Sequence, residues 1–214
     1  HLSYGMVELP KGMGKMKSRE GTVVDADDLI EEMINTAVEK SKELGKLEGL
    51  NEAEKKDIFR KIALGALKYF ILKVDAKKNM IFNPEESIDF NGNTGPFIQY
   101  TYVRINSMLE KSGDINSSQI ETVSNLHESE ISLSDKLFTF PEIVSEAAEK
   151  RNPAIIANYV YDLAKEYNRF YHDVPVLKEE NNNLRSIRLT LSQLCADVIK
   201  GSLDLLGIEV PLKM

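Results

Sequence analysis

The sequence holds one cysteine, Cys195, in 214 residues. A lone thiol closes no internal disulfide and builds no thiolate metal cage. Cys195 sits in the apolar series Leu191, Leu194 and Val198, so it reads as a buried core thiol in a reducing compartment. The histidines His1, His127 and His172 are far apart and share no ligand spacing, which gives no zinc site and no bound metal to expect. No long apolar run is present, so no membrane-spanning helix is expected, and no cleavable signal pattern is read. A basic excess is missing too: 27 Lys and Arg stand against 34 Asp and Glu, for a net charge of -7. That argues against non-specific phosphate binding as a main mode, while a local patch of the opposite sign stays open. The chain opens on His1 rather than Met and is expected to be a piece of a longer cytoplasmic protein.

What is present is an ordinary folded composition, with length for one large or two small domains. Residues 1–9 read as a strand that Pro10 to Gly14 breaks, and Thr22 to Val24 is a short β-prone run. Asp25 or Asp27 can cap a helix carrying Leu29, Ile30, Met33, Ile34, Ala37 and Val38 at helical spacing. A second helix carries Phe59, Ile62, Ala63, Ala66, Leu67, Phe70 and Ile71, and Gly65 inside it marks a close helix contact. Residues 79–90 read as an extended connector or short hairpin. The cluster Asn91-Gly92-Asn93-Thr94-Gly95-Pro96 is a turn, and the domain boundary is placed there: 1–90, then 91–214.

Beyond the turn the pattern is helical. Phe97 to Lys111 forms one helix, and 112–124 is polar and reads as a mobile loop. Ser134 or Asp135 is expected to cap a helix that Pro141 breaks or restarts. Pro153 opens a helix with the stripe Ile156, Val160, Leu163, Ala164 and Tyr167. Leu184, Ile187, Leu191, Leu194, Val198 and Leu205 make a last long helix, stopped by Gly207.

Two stretches carry candidate chemistry. The run Lys15-Met16-Lys17-Ser18-Arg19-Glu20-Gly21 is a Gly-punctuated, cation-bearing loop. Such groups, closing on the β- and γ-phosphates of a nucleotide, stabilise charge that builds as pyrophosphate leaves. Read from composition alone, the same run is more readily a solvated basic turn between two elements. The helix from Phe97 puts Ile98, Tyr102, Ile105 and Leu109 on one face and Phe97, Tyr100, Arg104 and Lys111 on roughly the opposite one. Two rings and a guanidinium can stack on unpaired bases and pair with phosphates. The alternative is that the rings fill a second core layer.

Lys15 to Arg19 resembles the Lys-Met-Ser-Lys-Ser motif of class I aminoacyl-tRNA synthetases. Ser18 stands where the second lysine would be, and the run continues Gly-Thr-Val-Val, as in arginyl-tRNA synthetases. Thr94-Gly95-Pro96-Phe97-Ile98-Gln99-Tyr100 with Arg104 is similar to the same family. So are Asn158 to Ala164, Asn168 to His172, Arg188-Leu189, and Gly207 to Pro211 with Met214. The resemblance covers essentially the whole chain, but the family's His-Ile-Gly-His motif is absent.

The resemblance implies a mainly α chain: the end of a Rossmann-type α/β catalytic domain, then an all-helical anticodon-binding bundle. It implies pyrophosphate stabilisation by Lys15, Lys17, Ser18 and Arg19, with Met16 and Gly21 at ATP and magnesium accompanying the nucleotide. It implies tRNA contacts from Phe97, Gln99, Tyr100, Arg104, Tyr159, Tyr171, Arg188 and Met214. The intact enzyme would join arginine to its tRNA with ATP, acting as a monomer, whereas this stretch alone would not activate arginine. Other readings are a free-standing helical RNA-binding module and a helical domain that binds protein. Arg185 reads either as a phosphate contact or as part of a solvated face, and His172 either as an anticodon neighbour or as a helix C-terminal cap.

Overall fold

The computed structural model describes residues 3–8, 25–42, 49–113 and 125–214. The described residues are mainly helical, with two two-residue strands. β1 (Val7–Glu8) and β2 (Met80–Ile81) pair in parallel, Val7 opposite Met80 and Glu8 opposite Ile81. A parallel pair needs a long crossover, and α1 (Ala26–Lys42) and α2 (Glu52–Leu72) lie on it. The strand expected over 1–9 is therefore shorter in its described part. The segment 79–90 is not a hairpin: it holds β2 and the one-turn α3 (Pro84–Ser87), because its strand partner lies far upstream.

Capping explains where the helices begin. The Asp25 carboxylate accepts from the Asp27 N–H at 2.9 Å, as the sequence suggested. Asn51 and Glu54 form a reciprocal box at the start of α2, with bonds of 3.0 and 2.8 Å. α4 (Gly95–Ser112) starts on Thr94, whose hydroxyl accepts from the Phe97 N–H at 3.3 Å.

α5 (Glu128–Phe138) starts earlier than the sequence suggested. Its cap is His127, whose Nδ1 accepts from the Ser129 N–H at 3.2 Å, and neither Ser134 nor Asp135 caps it. Both lie inside the helix, and the Ser134 hydroxyl donates back to the Glu130 carbonyl at 2.8 Å. His127→Ala is expected to cost about 1 kcal/mol of stability, read from a urea titration. α6 (Phe140–Lys150) restarts the chain with Pro141 in its first turn, as expected. α7 (Ala154–Asp173) follows Pro153, and α8 (Asn182–Leu205) is capped by Asn181.

The core forms two clusters. One fills the bundle of α4, α5, α7 and α8 and includes Ile98, Ile105, Leu133, Leu163, Tyr167, Phe170, Cys195 and Ile199. The other joins α1, α2 and the β2–α3 segment through Met33, Ile62, Ala66, Phe82 and Ile88, and also takes in Val103 and Met214. α4 therefore has side chains in both. α2 reaches the bundle through Tyr69, which is fully buried and lies 2.6 Å from Asn93 Oδ1 and 3.1 Å from the Ala157 carbonyl. Burial pushes the Tyr69 phenol far up, so it stays neutral.

The close contact expected at Gly65 is made with α4. A Cβ on Gly65 would lie 2.5 Å from Gln99 Nε2, and one on Gly95 would lie 2.4 Å from the Gly65 carbonyl oxygen. The turn at 91–96 thus leads directly into a tight crossing of α2 and α4.

α8 departs from its expected stripe. Its buried face holds Arg188, Leu189, Ser192, Cys195, Ala196, Ile199, Ser202 and Leu203, while Leu194 and Leu205 are exposed. Small residues on the inner face let α8 approach its neighbours, and counting only large apolar residues misplaces that face.

Candidate nucleic-acid interface

α4 and α7 lie side by side and run in the same direction, since their paired residues ascend together. Phe97 meets Tyr161, with ring centres 5.5 Å apart. Further along, Asn168 joins α4 twice. Its Nδ2 donates to Thr101 Oγ1 at 3.0 Å, and its Oδ1 accepts from Arg104 Nη1 at 2.9 Å. The same Nδ2 also donates to the Ala164 carbonyl at 2.8 Å, which fixes the amide's orientation.

Arg104 is thereby held between two rings. Its guanidinium carbon lies 5.1 Å from the centre of Tyr100 and 5.9 Å from that of Tyr171. Both distances suit a cation–π contact. Asn168 uses one of the five N–H donors of the guanidinium. Tyr171 is 38% exposed, and Phe97, Tyr100 and Arg104 are half-buried. The rings and the cation are thus neither sealed in the core nor loose on the surface.

Tyr171 rests on Tyr167, with ring centres 6.2 Å apart. Tyr167 is fully buried and donates to Ser192 Oγ at 3.3 Å. Burial pushes its phenol far up, so this backing ring stays neutral. At the other end of the groove Lys165 Nζ lies 5.6 Å from the centre of Tyr161. The groove offers stackable rings, a guanidinium and an ammonium in a chain of negative total charge. A single-stranded polynucleotide uses such groups for base stacking and phosphate pairing.

The structure does not bring every expected residue to this groove. Gln99 is fully buried, and its Nε2 donates to the carbonyls of Lys61 at 3.0 Å and Glu209 at 2.7 Å. It is closed to a polynucleotide because its donors are spent joining helix to tail. Tyr159 is buried, stacks on Phe140 at 5.7 Å and donates to the Lys136 carbonyl at 2.9 Å. Met214 is buried in the cluster around α1 and α2.

Arg188 is buried and committed to protein. Its Nε lies 2.6 Å from Glu130 Oε1, and its Nη1 lies 2.6 Å from Glu179 Oε2 and 2.8 Å from the Pro175 carbonyl. It is a cross-link between α5, α8 and the segment before α8, not a phosphate contact. His172 is exposed at the end of α7, beside Asp173. The loop residues Lys15, Met16, Lys17, Ser18, Arg19 and Gly21, and the polar stretch 114–124, lie outside the described residues.

Tyr161, Lys165 and Asn168 belong to the groove and were not singled out from the sequence. The signal was there: 161, 165, 168 and 171–172 recur at helical spacing on one face of α7. Among the described residues no group of His, Cys, Asp and Glu could hold a metal ion. No described helix is long and apolar enough to cross a membrane.

Comparison with known proteins matches two stretches of the chain. The family model described as "DALR anticodon binding domain" matches residues 98–214. The one described as "tRNA synthetases class I (R), catalytic domain" matches residues 1–84. An arginine–tRNA ligase of Bacteroides thetaiotaomicron is 60% identical over 100% of this chain and 36% of its own length. One from Flavobacterium psychrophilum is 58% identical, with 35% of its length covered. The chain therefore spans only about a third of these curated relatives. Among solved structures, the arginyl-tRNA synthetase of Thermus thermophilus superposes with a TM-score of 0.85 at 32% identity, over 100% of this chain and 35% of that one. The Plasmodium falciparum enzyme gives a TM-score of 0.79 at 26% identity, with the same shares covered.

Proposed function

The chain belongs to the DALR anticodon-binding domain family, and from that premise we propose that it is the C-terminal part of a cytoplasmic arginine–tRNA ligase. In this reading residues 1–90 complete the ATP-binding half and residues 91–214 dock the anticodon region of tRNA(Arg). The observation that carries it is the half-exposed guanidinium of Arg104, held between Tyr100 and Tyr171 inside the segment matched as anticodon-binding. Asn168 orients the guanidinium, and the rings beside it offer faces to unpaired bases. Phe97 with Tyr161 and Lys165 extends the same strip toward the start of α4.

Lys15, Lys17, Ser18 and Arg19, with Met16 and Gly21, are assigned to the leaving pyrophosphate of ATP. Magnesium arrives with the nucleotide as part of the substrate. The groups would act by stabilising charge that is greater in the transition state than in bound ATP. The intact protein, a monomer in this reading, joins arginine to tRNA with release of AMP and pyrophosphate. This stretch alone lacks the His-Ile-Gly-His segment and is expected to show no ATP–pyrophosphate exchange.

Tyr171→Ala tests the groove, because this ring is the most accessible of the set and its loss leaves the core in place. The expected result is a loss of about 1–3 kcal/mol in tRNA(Arg) affinity. Tm should stay within about 2 °C of the parent. A fall in Tm with unchanged affinity would make the ring structural and end this reading of the groove.

A further inference from the structure

Gln99 is one residue from the RNA-facing Tyr100, yet it is fully buried and bonds across 110 residues to the Glu209 carbonyl. Filling that space would need only an apolar side chain. Instead an amide is buried whose Oε1 has no hydrogen-bond partner, a cost an apolar residue would avoid. What the amide supplies is two donors. They join Lys61 of α2 to Glu209 of the tail, at 3.0 and 2.7 Å. Gly65 makes room for it, since a Cβ there would meet Nε2 at 2.5 Å.

The tail is fastened at other points as well. Gly207 has a φ of +67°, which turns the chain away from α8. Lys68 Nζ donates to the Gly207 carbonyl, and Arg60 Nη1 lies 3.8 Å from Glu209 Oε1. Ile208 is buried in the bundle cluster and Met214 in the cluster of α1 and α2. Tyr100 packs against that second cluster. The segment 207–214 therefore crosses from α8 over α4 to α2, tied to α4 by the residue next to Tyr100.

We infer that segment 207–214 is a strap that fixes how α4 presents Tyr100 and Arg104 to RNA, and that Gln99 is its positioning residue. Gln99 touches no nucleotide and acts through Tyr100. The inference rests on the RNA-binding reading above.

The test uses this chain with two variants that release the strap by different routes. Gln99→Met keeps side-chain length and removes both donors. Lys68→Met removes the bond to Gly207 from an exposed position, so folding is not at risk. Hydrogen exchange and tRNA(Arg) affinity are measured for each, alone and combined with Tyr100→Ala. The strap predicts faster exchange at 207–214 with α7 unchanged. It also predicts affinity lower by about tenfold in Gln99→Met, the loss of one well-placed stacking contact, and by a smaller factor in Lys68→Met. In the Tyr100→Ala background Gln99→Met should cause little further loss, because both act on one contact. Faster exchange with unchanged affinity, or full additivity with Tyr100→Ala, overturns the strap while the groove stands. An unmutated chain that binds no tRNA(Arg) overturns the functional reading and this inference together.

Discussion

Arg188→Met is expected to remove about 3–5 kcal/mol of folding stability, the largest loss from any single change considered. The guanidinium is the partner of Glu130, whose side chain is 0% exposed, at 2.6 Å. Methionine fills similar volume but leaves the Glu130 carboxylate without its cation. Glu130 also closes the reciprocal cap of α5, with Oε2 accepting from the His127 N–H at 2.5 Å. Unpairing it therefore disturbs the start of α5 as well as the contact with α8. Replacing both partners, Arg188→Met with Glu130→Leu, should recover part of the loss, because no stranded charge remains. Urea denaturation of the two variants checks this. A single variant within about 0.5 kcal/mol of the parent would show that the pair carries no such cost, and would reopen Arg188 as a phosphate contact.

The same cross-link gives a pH dependence. The Asn181 N–H and then the Arg188 guanidinium hold the Glu179 carboxyl below its ordinary range. A group depressed in the folded state binds protons more readily when unfolded. Its stabilisation is thus present above the ordinary glutamate range and is lost as pH falls through the folded value. Stability is expected to decline with acid through that window, and the part due to Glu179 should vanish in Glu179→Gln.

Gly95→Ala is the second large effect, expected at about 3 kcal/mol. The added methyl would stand 2.4 Å from the Gly65 carbonyl oxygen, 2.7 Å from the carbonyl carbon and 3.1 Å from Tyr69 Cβ. Two of those atoms are backbone within α2, so no rotamer change relieves the clash and the helices must separate. Separation would also strain the Tyr69 bonds to Asn93 and Ala157. Gly65→Ala meets the end of the Gln99 side chain instead. Its cost should therefore shrink in a Gln99→Ala background, whereas that of Gly95→Ala should not. Equal behaviour of the two glycines in denaturation would contradict this view of the crossing.

How much could be read in advance depended on what each residue does locally. The stripe of α7, the break at Pro141 and the stop at Gly207 were legible, because each is set by periodicity or backbone chemistry within a few residues. Cys195 was legible as core because its neighbours on the helix are apolar. The inner face of α8 was not, because burial there falls on Ser192, Ala196 and Ser202, which a hydrophobicity count passes over. The burial of Gln99, Tyr159, Arg188 and Met214 was hidden for another reason. Their polar ends or hydrophobic ends are satisfied by residues distant in sequence, such as Glu130 for Arg188 and Glu209 for Gln99. The resemblance implied tRNA contacts from these four residues, and it carries no information on which side chains the fold turns inward. The groove itself was half legible: Tyr100, Arg104 and Tyr171 were expected there and the helical spacing put Asn168 on the same face of α7, while the bonds by which Asn168 aims the guanidinium are visible only once α4 and α7 are side by side.

Nuclease footprinting of tRNA(Arg) bound to this chain tests most directly whether RNA sits in the α4–α7 groove. The predicted result is protection confined to the anticodon arm, lost in Arg104→Ala and weakened in Tyr171→Ala. Protection confined to the acceptor arm, or an anticodon footprint that survives both substitutions, would contradict it.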